Sequence, residues 1–99
     1  MNAPLKTEDL QKKIREHIQK GAYVVSSHAL ARQKQREVDL KHVLYVLKHG
    51  RREEEKDLFD VKHQMWKYAI RGTTFEGVRL RVVVSFESEM IIITVMRVK

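Results

Sequence analysis

Cysteine is absent from the 99 residues, which excludes disulfides, thiolate metal sites and thiol catalysis. Long apolar runs are missing too. The longest lie within 81–86 and 90–96, far short of the roughly 20 residues a membrane-spanning helix needs. The chain is polar from Lys6 to Lys13 and carries no apolar segment of the kind that forms a secretory leader, so a cytoplasmic protein is expected. No HExxH pair, no carboxylates at metal spacing, no glycine-rich phosphate loop and no G-x-S-x-G elbow occur. Metal and serine-nucleophile chemistry therefore lack a motif, and no cofactor is expected. Internal repeats, low-complexity tracts and long linkers are also lacking.

What is present is one domain's worth of chain, 1–99, of which residues 1–6 are expected to be disordered. A hydrophobic share of 42% is enough for one modest core. The net charge is +7 and unevenly placed: residues 1–50 hold ten Lys/Arg against five Asp/Glu. In the second half the acids gather at Glu53–Asp60, which leaves 61–99 with seven basic residues against three acidic. That balance favours a polyanion partner, because phosphate contacts release counterions. Solubility alone is the blander explanation of the same charge.

Periodicity supplies the elements. Leu10, Ile14 and Ile18 recur once per turn and predict a helix from Thr7, as cap, to Lys20. Ala22–Ser26 reads as a short strand, and Ser27 as the cap of a polar helix, His28–Arg36. Asp39 opens a third helix ending near His49, with Leu40, Val43, Leu44 and Leu47 as its apolar face and Gly50 beyond its end. A charged connection over 51–60, with room for a short edge strand, leads to three strands, His63–Gly72, Gly77–Ser88 and Met90–Lys99. Helices first and a meander after predict an α+β domain, α-β-α-α followed by a three- to four-stranded antiparallel sheet with helices on one face.

Alternation along those strands sets an apolar face (Trp66, Tyr68, Ile70; Leu80, Val82, Val84) against a basic one carrying Lys67, Arg71, Arg79, Arg81, Arg97 and Lys99. Like charges across strands repel, so such a face is costly unless an anion sits on it. Neutralisation by Glu53–Glu55 is the alternative. On the polar helix, His28, Arg32, and Gln35 or Arg36 share one stripe, and His28 lies in the first turn. The free N–H groups of that turn attract phosphate and leave a neutral imidazole able to accept a proton. A histidine beside a cap is more commonly structural. His17, His42 and His49 have no partner at ligand spacing, and His63 opens a strand as a second candidate base. Tyr68 or Phe75 is available to stack on a base, with Tyr68 better suited to the core.

The string Ser26-Ser27-His28-Ala29 with Arg32 and Arg36, then Asp39, Val43, Leu47 and Gly50, then Ile91-Ile92-Ile93-Thr94-Val95, resembles an uncharacterised bacterial domain family. Its members share an S-x-H-A-x-x-R-x-x-x-R helix and a closing I-I-T-V strand, and it is grouped with the RelE/barnase-like endoribonucleases. Over about residues 7–99 the chain is also similar to the motility quorum-sensing regulator toxins. The resemblance implies a RelE/barnase-like fold and an mRNA interferase, the toxin of a type II toxin-antitoxin pair. It also implies cleavage of single-stranded mRNA without a metal, and neutralisation by a cognate antitoxin bearing a zinc-ribbon and a helix-turn-helix. Position by position, Lys67 takes the place of a catalytic Gln, Arg79 that of a functional Tyr and Arg97 that of a carboxy-terminal Lys. His28 and Arg32 come from the domain family's helix.

The resulting expectation is metal-free RNA cleavage by 2′-OH attack. His28, or else His63, moves the proton. Arg32, Lys67, Arg79 and Arg97 act at the scissile phosphate, and Arg36, Arg71, Arg81 and Lys99 bind RNA. A non-catalytic nucleic-acid-binding module and a domain that docks an acidic protein are the competing expectations.

Overall fold

Leu10 and Ile14 are buried on helix α1 (Leu10–Gln19), as their spacing requires. Asp9, rather than Thr7, caps it: the Asp9 carboxylate accepts the Lys12 backbone N–H at 3.2 Å. Thr7 instead donates its backbone N–H to the Tyr68 hydroxyl at 3.0 Å, tying the incoming chain to the sheet. The computed structural model describes residues 5–36 and 38–99, and the disorder expected for residues 1–4 lies outside them. Lys6, expected to share that disorder, pairs with the Asp57 carboxylate at 3.3 Å and lies over the Trp66 ring.

Strand β1 (Tyr23–Val25) runs straight into α2 (Ser27–Arg36). The cap of α2 falls one residue earlier than expected. Ser26 Oγ accepts the Ala29 N–H at 3.0 Å and donates to the Ile93 carbonyl at 2.8 Å, so one hydroxyl both starts the helix and pins it to the last strand. Helix α3 (Leu40–His49) starts after Asp39 as predicted, but its buried side is His42, Val43, Val46 and Leu47. Leu44 is only partly buried, so the packed face is rotated from the expected stripe toward Val46. Gly50 has an extended backbone that any residue adopts. Glycine is required there for space, since a Cβ would lie 2.6 Å from the carbonyls of Arg71 and Val46.

The remaining chain forms β2 (Arg51–Arg52), a 3₁₀ turn at Glu54–Lys56, β3 (Leu58–Asp60), β4 (Met65–Thr73), β5 (Arg79–Phe86) and β6 (Met90–Arg97). The class is α+β as expected, but the sheet is six-stranded and mixed rather than three- to four-stranded and antiparallel. Its order is β1-β6-β5-β4-β2, with β3 pairing on β4 beside β2. β1 lies parallel to β6, with Tyr23 opposite Met90 and Val25 opposite Ile92. Strands of two or three residues give alternation too little length to register, which is why the charged connection, read with room for one short edge strand, holds two.

Directly paired residues share a face. Tyr68 with Val84, Ile70 with Val82 and Gly72 with Leu80 form the packed side, beneath Val43, Val46 and Leu47 of α3. Lys67, Ala69 and Arg71, with Arg79, Arg81 and Val83, form the other. β6 carries a bulge: Val83 pairs with Thr94 and Val84 with Ile92, which leaves Ile93 extra and buries both Ile92 and Val95. The bulge reverses the alternation beyond it. Arg97 is therefore opposite Leu80, on the helix side, while Met96 is opposite Arg81 on the open side. The expectation that Arg97 belongs to the basic face is corrected accordingly.

Candidate nucleic-acid interface

Helix α2 settles what the open face can do. Ala29 and Gln33, one turn apart, are buried and fix the helix against β6. His28 and Arg32 stand one residue back on the same turns, and so reach past the β6 edge onto the open face. There they line a cleft of about 590 Å³ with Lys56, Lys67, Leu58 of β3, Val83 of β5, and Thr94 and Met96 of β6. The structure thus brings together His28, Arg32 and Lys67, three of the residues singled out from the sequence. It adds Lys56, which the acidic run around it had concealed.

Two of the three cations in this cleft, Arg32 and Lys67, are held by neighbouring side chains. The Arg32 guanidinium donates to the Gln35 side chain at 3.2 Å, which uses one edge of the fork. Lys67 pairs with Asp60 at 3.3 Å. Asp60 also accepts the His63 backbone N–H at 3.1 Å and meets the His63 ring at 2.9 Å. Those bonds, the His63 side chain first, hold the Asp60 carboxyl down at about 2. Asp60 is hence an anion at any ordinary pH, and it anchors Lys67. His28 is exposed, and its ring makes no hydrogen bond with another described residue. Among the described residues no three His, Asp or Glu side chains are grouped to hold a metal ion.

The other cations named from the sequence lie elsewhere. Arg71 and Arg79 line a separate cleft of about 580 Å³ with Arg51, Arg52, Glu53, Gly72 and Thr73. Arg81 is committed to Glu53, Nε to Oε1 at 2.6 Å and Nη2 to Oε2 at 3.2 Å. That bond pulls Glu53 below the usual carboxylate value and raises the guanidinium above its own. Arg81 is accordingly an ion-pair partner first, the neutralisation weighed as the alternative for this face. Lys99 contributes a backbone oxygen to the Arg71 guanidinium, and its residue borders a third cleft with Arg79 and Arg97. The Arg36 side chain lies outside the described residues.

The remaining aromatic and histidine candidates divide in the same way. Tyr68 is core, 5% exposed, with its hydroxyl taken by Thr7. Phe75 is exposed but stacks on His42 at 4.7 Å, away from either cleft. His42 is structural: Nδ1 accepts the Asp39 N–H at 3.0 Å and Nε2 meets Glu76 at 2.9 Å, clamping the β4–β5 turn to the start of α3.

The span from the end of β1 through α2, α3 and strands β2 to β6 is also what comparison picks out, at residues 25–97. The chain belongs to the family described as domain of unknown function DUF4258. No curated protein and no solved structure matches it. The matched span of this DUF4258 domain holds both walls of the His28 cleft, and α1 lies outside it. No helix among the described residues is long and apolar enough to cross a membrane.

Proposed function

We propose that this DUF4258 domain is a metal-independent endoribonuclease with a RelE/barnase-like arrangement, the toxin of a type II pair in the cytoplasm, cleaving single-stranded mRNA and held in check by a cognate antitoxin. The observation that carries the reading is the cleft itself, with an imidazole and three cations on the open face of a sheet whose other face packs against the helices. In-line attack of a ribose 2′-OH on the adjacent phosphate needs a proton acceptor, positive charge at the phosphorus oxygens and protonation of the departing 5′-oxygen. His28 serves the proton, and Arg32 and Lys67 serve the phosphate. The products are a 2′,3′-cyclic phosphate and a 5′-hydroxyl. DNA lacks the nucleophile and is bound without being cut.

Purified protein incubated with single-stranded RNA in excess chelator tests this. Cyclic-phosphate ends and a block by 2′-deoxy substitution at the scissile nucleotide are expected. His28→Ala should slow cleavage by about 10²–10⁴, the range for a positioned acid or base. Dependence on added magnesium would defeat the metal-free scheme. A second reading, binding without catalysis, is favoured by one feature: no described side chain orients the His28 ring, whereas catalytic bases are commonly held by a third group. RNA retained in a salt-dependent complex and never cut would decide for it.

A further inference from the structure

The sequence suggested one basic face, and the structure divides it in two. At the β2 end of the open face, Arg51 is directly opposite Arg71, and Arg71 directly opposite Arg81, so three guanidinium-bearing residues form one row across β2, β4 and β5. Arg79, opposite Thr73, stands on the same face two residues further along. Two carboxylates border the cleft, Glu53 and Glu55, and among the described residues only Glu53 comes within ion-pair distance of the row. Glu53 gives both oxygens to Arg81 and reaches Arg71 only at 3.8 Å. Arg52, on the neighbouring wall, is spoken for by the buried Asp57 at 2.9 Å. Arg51 and Arg79 form no ion pair among the described residues, and both are exposed.

Cross-strand repulsion of this kind is relieved by an anion lying between the strands. The cleft offers room for one, about 580 Å³. Its position relative to the His28 cleft is fixed by β4. Lys67 and Arg71 are on the same face four residues apart, about 13 Å at roughly 3.3 Å per residue. Between them Ala69 is buried at 1% exposure, whereas Val83, its partner on β5 and a wall of the His28 cleft, is partly exposed, so a polyanion that reaches both clefts crosses the face at Val83 rather than along β4.

We propose that the Arg51–Arg71–Arg79 cleft is a second phosphate subsite for single-stranded RNA, engaging backbone phosphates several nucleotides from the one at His28 and making affinity depend on substrate length. This rests on the reading of the open face as an RNA surface, and it moves Arg79 from the chemical step to substrate tracking. The test is equilibrium binding of 2′-deoxy oligonucleotides, which need not be cut, to the full chain at several salt concentrations. The wild type should bind an octanucleotide more tightly than a dinucleotide, and the double variant Arg51→Ala/Arg79→Ala should lose that gain. Its dependence of log affinity on log salt should flatten by about 1.4, at roughly 0.7 per phosphate contact in a single strand. Arg51→Lys/Arg79→Lys, which keeps the charge, should hold most of the slope and show that the loss is not misfolding. A charge-matched control, Lys20→Ala/Lys41→Ala on the helices, should keep the length gain. Unchanged octanucleotide binding in the double alanine variant, or an equal loss in the control, would overturn the subsite. A protein that never cuts RNA yet shows the arginine-dependent length gain would remove the nuclease reading and leave the subsite standing.

Discussion

Glu53 shows how one carboxylate limits what a basic surface can bind. It faces Arg81 through two hydrogen bonds and Arg71 at longer range, and the Arg81 bond is the chief reason its carboxyl lies below the ordinary value of 4.5. A carboxyl depressed on folding adds stability that is complete above its unfolded value and is lost as the pH falls through its folded one. Asp60 behaves alike, from 3.8 unfolded to about 2 folded, through His63 and Lys67. Thermal melts should therefore be insensitive to these two groups from neutral pH down to about 4.5 and decline below it. Glu53→Gln should be less stable than the wild type at neutral pH, with the two melting curves converging in acid. Parallel curves at all pH values would show that the Glu53–Arg81 pair contributes nothing measurable. The same variant frees Arg81 and should tighten oligonucleotide binding at low salt.

At the scale of elements, α1 and α3 were readable because each repeats its apolar residues once per turn over ten residues, and Asp39 marked the start of α3 correctly. What the sequence could not convey is how far a helix is rotated when it meets a sheet. Val46 is fully buried and Leu44 only partly so, because the Gly50–Gly72 approach brings the end of α3 close to β4 and turns Val46 onto that strand. Leu47→Ala should cost about 2–5 kcal/mol, the range for emptying a core leucine site, and Leu44→Ala clearly less. Denaturant titration of both variants measures the difference, and equal costs would put the helix back on its expected stripe. The basic face shows a second limit of the same kind. Lys67, Arg71, Arg79 and Arg81 obey simple alternation, so their sharing a face was legible. A single extra residue at Ile93 reverses the phase of β6, and no sequence pattern announces it. Lys56 and Arg51 went unnoticed for a related reason: the acids around them read as a solvated connection, and only the pairing of β2 and β3 onto β4 brings them to the clefts.

Over the whole molecule, charge and packing are sorted onto opposite sides of one sheet. The packed side holds Ile14, Val43, Leu47, Ile70, Val82 and Ile92 at zero exposure, so a truncation there acts through stability. The open side holds the two clefts, and a truncation there acts through binding or chemistry. Arg97 discriminates between the arrangement implied by resemblance to the toxins and the one built by this chain. If a basic residue near the end of the last strand served the phosphate, Arg97→Ala would abolish the toxicity proposed for the protein expressed alone. The bulge instead sets Arg97 across from Leu80, on the face away from His28, Arg32 and Lys67. Expression of the wild type alone should arrest bacterial growth, and His28→Ala and Lys67→Ala should each relieve the arrest. Arg97→Ala should remain as toxic as the wild type, because it alters neither wall of the cleft. All variants should melt within a few degrees of the wild type, since none removes a fully buried side chain. Relief of arrest by Arg97→Ala in a protein that still melts normally would mean that RNA wraps the end of β6 to reach both faces, and the single open face would no longer suffice as the site.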